Sequence, residues 1–144
     1  KILLPALRLG YMVIPADPRA ASSVCEGVMK VVRDMKLAGG REFEVEIALR
    51  EALANAIEHG CQGDPSKSVQ CCVAADESGD VVIVVRDPGP GFDPTRVPDP
   101  RLGTNLLRDG GRGIHLINEF MDEVQFAQDG REVQMRKRGA RNGS

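Results

Sequence analysis

A proline- and glycine-rich stretch from Asp87 to Gly113 constrains the fold most strongly. It holds five prolines and six glycines and shows no steady helical or strand period. Proline removes a backbone donor and fixes φ, so no regular helix or central strand should cross the stretch. Long loops without secondary structure are uncommon in compact domains and are usually functional or disordered. The 144 residues of the chain suffice for one domain, so we expect a single domain over residues 1–144 that contains this loop.

Composition and charge exclude several classes of protein. A net charge of −2 and 3% aromatic residues argue against nucleic-acid binding, which needs a basic face or stacking rings. No apolar run approaches the roughly 20 residues of a membrane span, and the first residues lack a signal peptide. The four cysteines lack metal-type spacing, which predicts reduced thiols in a cytoplasmic protein. The start at Lys1 leaves open that the chain is a fragment of a longer protein.

Hydrophobic periodicity and turn residues predict three helices and five strands. A lead-in over 1–10 precedes them, and a basic tail over 139–144 follows. The first helix starts at Pro18 with Asp17 as N-cap, carries a valine-rich apolar stripe and is stopped by Gly39 and Gly40. The predicted strands are Gly10–Pro15, Ser68–Ala75, Asp80–Arg86, Glu123–Gln128 and Glu132–Arg138, and the other two helices are Arg41–Glu58 and Arg112–Met121.

This order of elements predicts an α+β fold. Helices placed together on one face of a mixed, mostly antiparallel sheet would bury their apolar stripes against it. The result is a two-layer α/β sandwich whose other sheet face is free or covered by a partner.

The predicted second helix carries a polar edge beside its apolar stripe. Glu51 and Asn55 are four residues apart and so lie on one face, and Glu58 and His59 fall near the same edge. Asparagine lowers helix propensity, but its carbonyl oxygen suits Mg²⁺ that also keeps phosphate oxygens and water. Glu51 could then act on a hydroxyl that faces a phosphate. The alternative is a helix edge with two solvated polar residues.

Two glycine-rich segments flank the long loop. At its start, a buried strand ends on Asp87, followed by Gly89 and Gly91. A carboxylate there can accept a hydrogen bond from an exocyclic amine such as that of adenine, although an ordinary Asp-Pro-Gly turn is the alternative. At its end, Gly110 to Gly113 opens a helix, which offers free N–H groups and a positive dipole end to an anion.

The three segments in this order resemble the GHKL, or histidine kinase-like, ATPase superfamily. The closest similarity is to bacterial anti-sigma factor serine/threonine kinases. Glu51 to Gly60 looks like their N box, Asp87 to Phe92 like their first glycine box, and Gly111 to Ile117 like their second. The resemblance extends over about residues 11–138 and implies the GHKL form of the two-layer sandwich.

The resemblance also implies roles for single residues. Asn55 would coordinate the Mg²⁺ that bridges the phosphates of ATP, Asp87 would bind the adenine amino group, and Glu51 would be the general base that activates a protein hydroxyl. His59 would support the phosphates, and residues 92–110 would form the ATP lid. The remaining implied nucleotide contacts are Gly89, Gly91, Phe92, Gly111, Gly113 and Ile114.

Family resemblance further implies the partners. Such kinases sequester a sigma factor from RNA polymerase, phosphorylate an anti-anti-sigma antagonist on serine or threonine, and commonly act as homodimers. The chain departs from the family pattern in two places. Gly130 is followed by Arg131 where many relatives have threonine, and no residue clearly matches the basic lid residue, for which Arg108 or Arg112 is the candidate.

Two other functions remain open at this stage. One is a non-catalytic, regulatory ATP-binding module from a larger signalling protein. The other is the catalytic domain of a histidine kinase, which needs a helical segment with an acceptor histidine. The two histidines of the chain, His59 and His115, lie inside the nucleotide motifs instead.

Overall fold

A computed structural model describes Ile2, Pro5 and residues 7–89 and 111–139. Within them, the chain forms three α-helices and five β-strands. In chain order these are β1 (Leu7–Pro15), α1 (Pro18–Asp34), α2 (Glu42–Asn55), β2 (Ser68–Ala75), β3 (Val81–Arg86), α3 (Gly111–Phe120), β4 (Glu123–Ala127) and β5 (Glu132–Lys137). No helix in these ranges is both long and apolar enough to cross a membrane.

The strands form one open sheet in the order β1-β2-β3-β5-β4. Each pairing between them is antiparallel. Inward residues of the sheet, such as Val73, Ile83 and Met135, join one core with the buried faces of the helices. The predicted α+β fold, with helices on one face of a mostly antiparallel sheet, is confirmed.

The sheet joins the segments on the two sides of the long loop. β5 pairs with β3 from Val81↔Lys137 to Arg86↔Glu132, so a strand that follows the loop lies beside the strand that precedes it. As a result, Asp87 at the end of β3 lies next to the β4–β5 turn, where its N–H donates to the carbonyl of Arg131 at 2.9 Å.

Helix α1 begins as predicted and ends earlier than predicted. The side chain of Asp17 accepts a hydrogen bond from the N–H of Arg19 at 2.9 Å, and Pro18 occupies the first turn. The helix ends at Asp34 rather than at Gly39, because Leu37 and Ala38 turn inward and are buried. The predicted stripe is partly wrong too: Val31 and Met35 are exposed, and Cys25 and Met29 are buried in their place.

Helix α2 buries the whole stripe that the sequence predicts. Its buried residues are Val45, Ala48, Leu49, Ala52 and Leu53, and Ala56 follows them in the next turn. The regular helix ends at Asn55, however, and a wider π-helical turn, Ala56–Gly60, replaces the predicted end at Glu58.

Strand β1 is longer than the sequence predicts. It starts at Leu7, inside the predicted lead-in, and a bulge between Arg8 and Gly10 shifts its register against β2. Earlier in the chain, Ile2 is buried and lines a cavity of about 670 Å³ on the outer sheet face. The outer face is therefore partly covered by the chain itself.

The four cysteines are free thiols. Cys71 is buried in the core, whereas Cys72 borders the cavity on the outer face. Consecutive strand residues point to opposite faces, as the sequence predicts for this pair.

Candidate functional site

The site begins on α2, where two polar residues lie at the edge of the buried stripe. Glu51 and Asn55 are half-buried, while their neighbours Ala52 and Leu53 are in the core. The core contacts of α2 fix the helix against the sheet, so both side chains project from a rigid element. Their side chains occupy one edge of the helix, one turn apart.

Directly after Asn55, the backbone widens into the π-turn Ala56–Gly60. Single π-turns of this kind occur frequently at functional sites. The turn carries His59, whose Nε2 is buried without a hydrogen-bond partner in the described part of the chain. A buried polar nitrogen without a partner loses its hydration, so a ligand atom that bonds to it would restore the lost hydrogen bond.

Asp87 occupies the end of the central strand β3. Its Oδ1 accepts a hydrogen bond from the N–H of Gly89 at 2.8 Å, which closes a tight turn. Desolvation by burial raises the pKa of this carboxyl group, against the lowering effects of the Gly89 bond and of Arg131. A hydrogen-bond donor such as an exocyclic amine would offset the lost hydration of the carboxylate.

Gly60 brings these two segments into direct contact. A Cβ atom on Gly60 would lie 2.1 Å from Cγ of Asp87, and one on Gly89 would lie 2.3 Å from the carbonyl oxygen of Gly60. Only residues without a side chain allow the backbones to approach this closely. The end of the N-box segment and the first glycine box therefore interlock, which fixes Asp87 relative to α2. We call Gly60, Asp87 and Gly89 the glycine contact.

Helix α3 begins at Gly111, so the second glycine box forms its first turn. The backbone of this first turn comprises Gly111, Arg112, Gly113 and Ile114. Helix α3 packs against α2. The predicted contacts Gly91, Phe92 and Arg108, and the predicted lid over 92–110, lie outside the described residues.

One predicted neighbour lies elsewhere. Glu58 is exposed and lines a groove between α1 and α2 together with Arg50 and Ala54, away from Glu51 and Asn55. The π-turn changes the helical phase after Asn55, so a spacing argument for a regular helix misplaces this residue. The sequence predicts Gly60 as a helix stop and carries no signal of its contact with Asp87.

These residues fit ATP in their chemistry. The carboxylate of Asp87 accepts hydrogen bonds, and Nε2 of His59 is unpaired within the part of the chain that the structure describes. Gly60 and Gly89 have no side chains of their own, so a ligand can approach their backbone. The carbonyl oxygen of Asn55 is a ligand of the type that Mg²⁺ takes together with phosphate oxygens.

Comparison with known proteins agrees with this geometry. The sequence profile of the family described as "Histidine kinase-like ATPase domain" matches residues 14–137. Similar curated proteins carry the name "Anti-sigma F factor". The one from Priestia megaterium is 32% identical over 84 residues, 57% of each chain. Those from Bacillus cytotoxicus and Geobacillus thermodenitrificans are 34% identical over 85 residues (58% of each chain) and 38% identical over 84 residues (56% of each chain). The chain thus matches a little over half the length of these relatives.

The glycine contact predicts a large effect of one added methyl group. We expect Gly60→Ala to lower the free energy of unfolding by about 1–3 kcal/mol, because the new Cβ forces Asp87 to move. Denaturant unfolding measures the change. Gly27→Ala is the matched control, since nothing lies within 4 Å of a Cβ there. This substitution should raise the free energy of unfolding by about 0.4–1 kcal/mol. Unfolding of Gly60→Ala at the wild-type midpoint would contradict the contact.

Proposed function

The chain belongs to the histidine kinase-like ATPase domain family, and from that premise we propose that it is an ATP-dependent serine/threonine protein kinase with anti-sigma factor activity. The observation that carries this proposal is the glycine contact, which joins Asp87 rigidly to the segment that bears Glu51 and Asn55. An adenine-binding group and a phosphate-binding group are then held at a fixed separation. Fixed positions of this kind are the main requirement of phosphoryl transfer.

In the proposed nucleotide complex, each group has a separate task. Asp87 accepts the adenine amino group, and the bare backbone at Gly89 lets the ring approach. Asn55 would hold Mg²⁺ through its carbonyl oxygen. The buried Nε2 of His59, which has no partner among the described residues, would donate to or accept from the phosphate region. The N–H groups at the start of α3 would bind the phosphates, as helix N-termini commonly do.

In the proposed transfer, Glu51 accepts the proton of a serine or threonine hydroxyl on the substrate protein. The hydroxyl oxygen would then form a bond to the γ-phosphorus of ATP, and the bond from that phosphorus to ADP would break, with ADP as the leaving group. Mg²⁺ bound with ATP would neutralise part of the phosphate charge. The half-buried position of Glu51, one turn before Asn55, supports this role because base and metal ligand then project from one helix edge.

The names of the relatives support the proposed partners. By analogy with "Anti-sigma F factor", we assign this chain a sigma factor as target. An anti-anti-sigma protein as substrate is proposed from the resemblance of the three motifs to the anti-sigma factor kinases. A target that works with RNA polymerase places the protein in the cytoplasm. We also propose that it acts as a homodimer.

Nucleotide binding is the first measurement. We expect the wild type to bind ATP more tightly with Mg²⁺ than without it, in isothermal titration calorimetry. Asp87→Asn should weaken ATP binding about tenfold or more, since it replaces a charged hydrogen-bond acceptor. Asn55→Ala should remove most of the gain from Mg²⁺. Asp34→Asn, the same change at the exposed end of α1, is the control and should bind like the wild type. No ATP binding by the wild type would refute the proposal.

Phosphate transfer separates the kinase from a regulatory ATP-binding module. We expect Glu51→Gln to keep the ATP affinity of the wild type and to slow transfer from radiolabelled ATP to an anti-anti-sigma protein about 100-fold or more, because the general base is lost. Glu26→Gln on the exposed side of α1 should transfer at the wild-type rate. Transfer by Glu51→Gln at the wild-type rate would exclude Glu51 as the base. If the wild type binds ATP but transfers no phosphate to its cognate antagonist, the result would favour the regulatory ATP-binding module.

The outer face of the sheet supports the proposed homodimer. Tyr11 and Val13 on the edge strand β1 are 63% and 59% exposed and point away from the core. Beside Tyr11 lies the outer cavity, where the buried Oε1 of Gln134 has no hydrogen-bond partner in the described residues. Exposed apolar residues side by side on a sheet face are the kind of surface that a partner covers.

We expect Tyr11→Glu to convert the dimer to a monomer, because a buried unpaired charge at an interface is costly. Light scattering behind size-exclusion chromatography, over a range of concentrations, measures the mass. Phe43→Glu is the control: Phe43 is 72% exposed at the start of α2, in the helical layer. A monomeric wild type, or a Tyr11→Glu variant that stays dimeric, would contradict this surface.

A further inference from the structure

Lys137, the last residue of β5, is almost completely buried and ion-paired. It is 2% exposed, and its Nζ lies 2.5 Å from Oε1 of Glu44 and 3.9 Å from Oδ1 of Asp122. Nζ also donates a hydrogen bond to the carbonyl oxygen of Phe120. We call these four residues the Lys137 clamp. A buried ammonium needs such partners, since an unpaired one would be strongly destabilising.

The clamp joins the start of α2 to the end of α3. Glu44 lies in the first turn of α2, and Phe120 is the last residue of α3. A second set of bonds closes around it: Arg41 donates to the carbonyl of Arg138 at 2.8 Å, and the N–H of Arg138 donates to Asp122 at 2.7 Å. One end of the α2–α3 pair is therefore fixed to the sheet by directional bonds.

The nucleotide segments occupy the opposite ends of the same two helices. From Glu44 to Asn55 the helix rises about 16 Å, and from Phe120 back to Gly111 about 14 Å. The helices pack against each other and run in opposite chain directions from the clamp. Glu44, Glu51 and Asn55 share one face of α2, because spacings of seven and eleven residues are close to whole numbers of turns.

We propose that Lys137 is a positioning residue for the phosphate-binding half of the nucleotide site. This inference rests on the proposed function. A change in the spacing or rotation of α2 against α3 at the clamp moves Asn55 relative to the start of α3. Asp87 stays joined to the end of α2 by the glycine contact and also bonds to the carbonyl of Arg131. The displacement therefore falls on the start of α3 and leaves the adenine end of the site in place.

Because the adenine end and the phosphate end of the site are held by different contacts, their affinities can be measured apart. A residue that only stabilises the fold would affect both affinities equally. Adenosine tests the adenine end alone, whereas ATP tests both ends. The ratio of ATP affinity to adenosine affinity reports the phosphate-binding half. Loss of the clamp should lower this ratio, while general loosening of the fold would weaken both ligands equally.

The variants are Lys137→Met, Glu44→Gln and their combination, with Arg136→Met as the matched control. Arg136 is the neighbouring residue on β5 and pairs with the buried Asp80 at 2.8 Å, on the outer face and away from α2 and α3. Glu44→Gln keeps a side chain of the same shape on a partly exposed residue, so it remains informative if Lys137→Met does not fold. Affinities are measured by calorimetry well below the unfolding temperature of each variant.

We expect the ATP-to-adenosine ratio to fall about tenfold in Lys137→Met and in Glu44→Gln, since a small displacement of a positioning group is enough for such a loss. The double variant should be no worse than Lys137→Met, because the two residues act through one contact. Arg136→Met should keep the wild-type ratio within about twofold even if it is less stable.

An unchanged ratio in folded clamp variants, or an equal fall with Arg136→Met, would overturn the inference and leave the proposed function intact. Absence of ATP binding by the wild type would refute the proposed function and the inference with it.

Discussion

The close approach of Gly60 to Asp87 and Gly89 is the contact on which the candidate site depends. The backbone of Gly89 meets that of Gly60, and the side chain of Asp87 lies against Gly60, at distances that leave no room for a Cβ on either glycine. Gly60 belongs to the turn after α2, and Asp87 and Gly89 follow the central strand β3. The helical layer and the sheet are thus in direct contact there, and Asp87 is oriented by both. The same burial raises the pKa of the Asp87 carboxyl group.

A second connection between the helical layer and the sheet is an ion pair. The Lys137 clamp holds the start of α2 and the end of α3 to the last residue of β5. The two connections lie at opposite ends of α2, and the fully buried Leu49 and Leu53 pack between them. Helix α2 is consequently fixed at both ends and along its length. A helix held in this way can carry Glu51 and Asn55 at a polar edge, although neither residue contributes to the core.

The sequence predicts the parts of this structure that follow from regular periodicity. The stripe of α2, the N-cap of α1 at Asp17 and the bounds of β2 are all readable from residue spacing, and the order of the three motifs identifies the family. The end of α1, the start of β1 and the place of Glu58 are not readable in this way. The end of α1 depends on the inward turn at Leu37, and the start of β1 depends on the pairing of Leu7 with Ala75. The place of Glu58 depends on the π-turn after Asn55. For the site, spacing brought Glu51 and Asn55 to one helix edge, but it could not show that Gly60 touches Asp87, because a contact between a helix end and a strand end is set by the packing of the two layers.

The π-turn explains why these features occur together. A regular α-helix continued through Gly60 would carry the backbone past the end of β3 on a fixed helical path. One wider turn after Asn55 changes that path and brings Gly60 against Asp87. The same turn buries Nε2 of His59, for which the residues of the described ranges provide no hydrogen-bond partner. Wider turns and unpaired buried atoms both cost stability, and a protein keeps such features where function requires them. The irregular turn thus connects the edge of α2 that carries Glu51 and Asn55 to the end of β3 that carries Asp87, and its cost is consistent with a ligand that bonds to both segments.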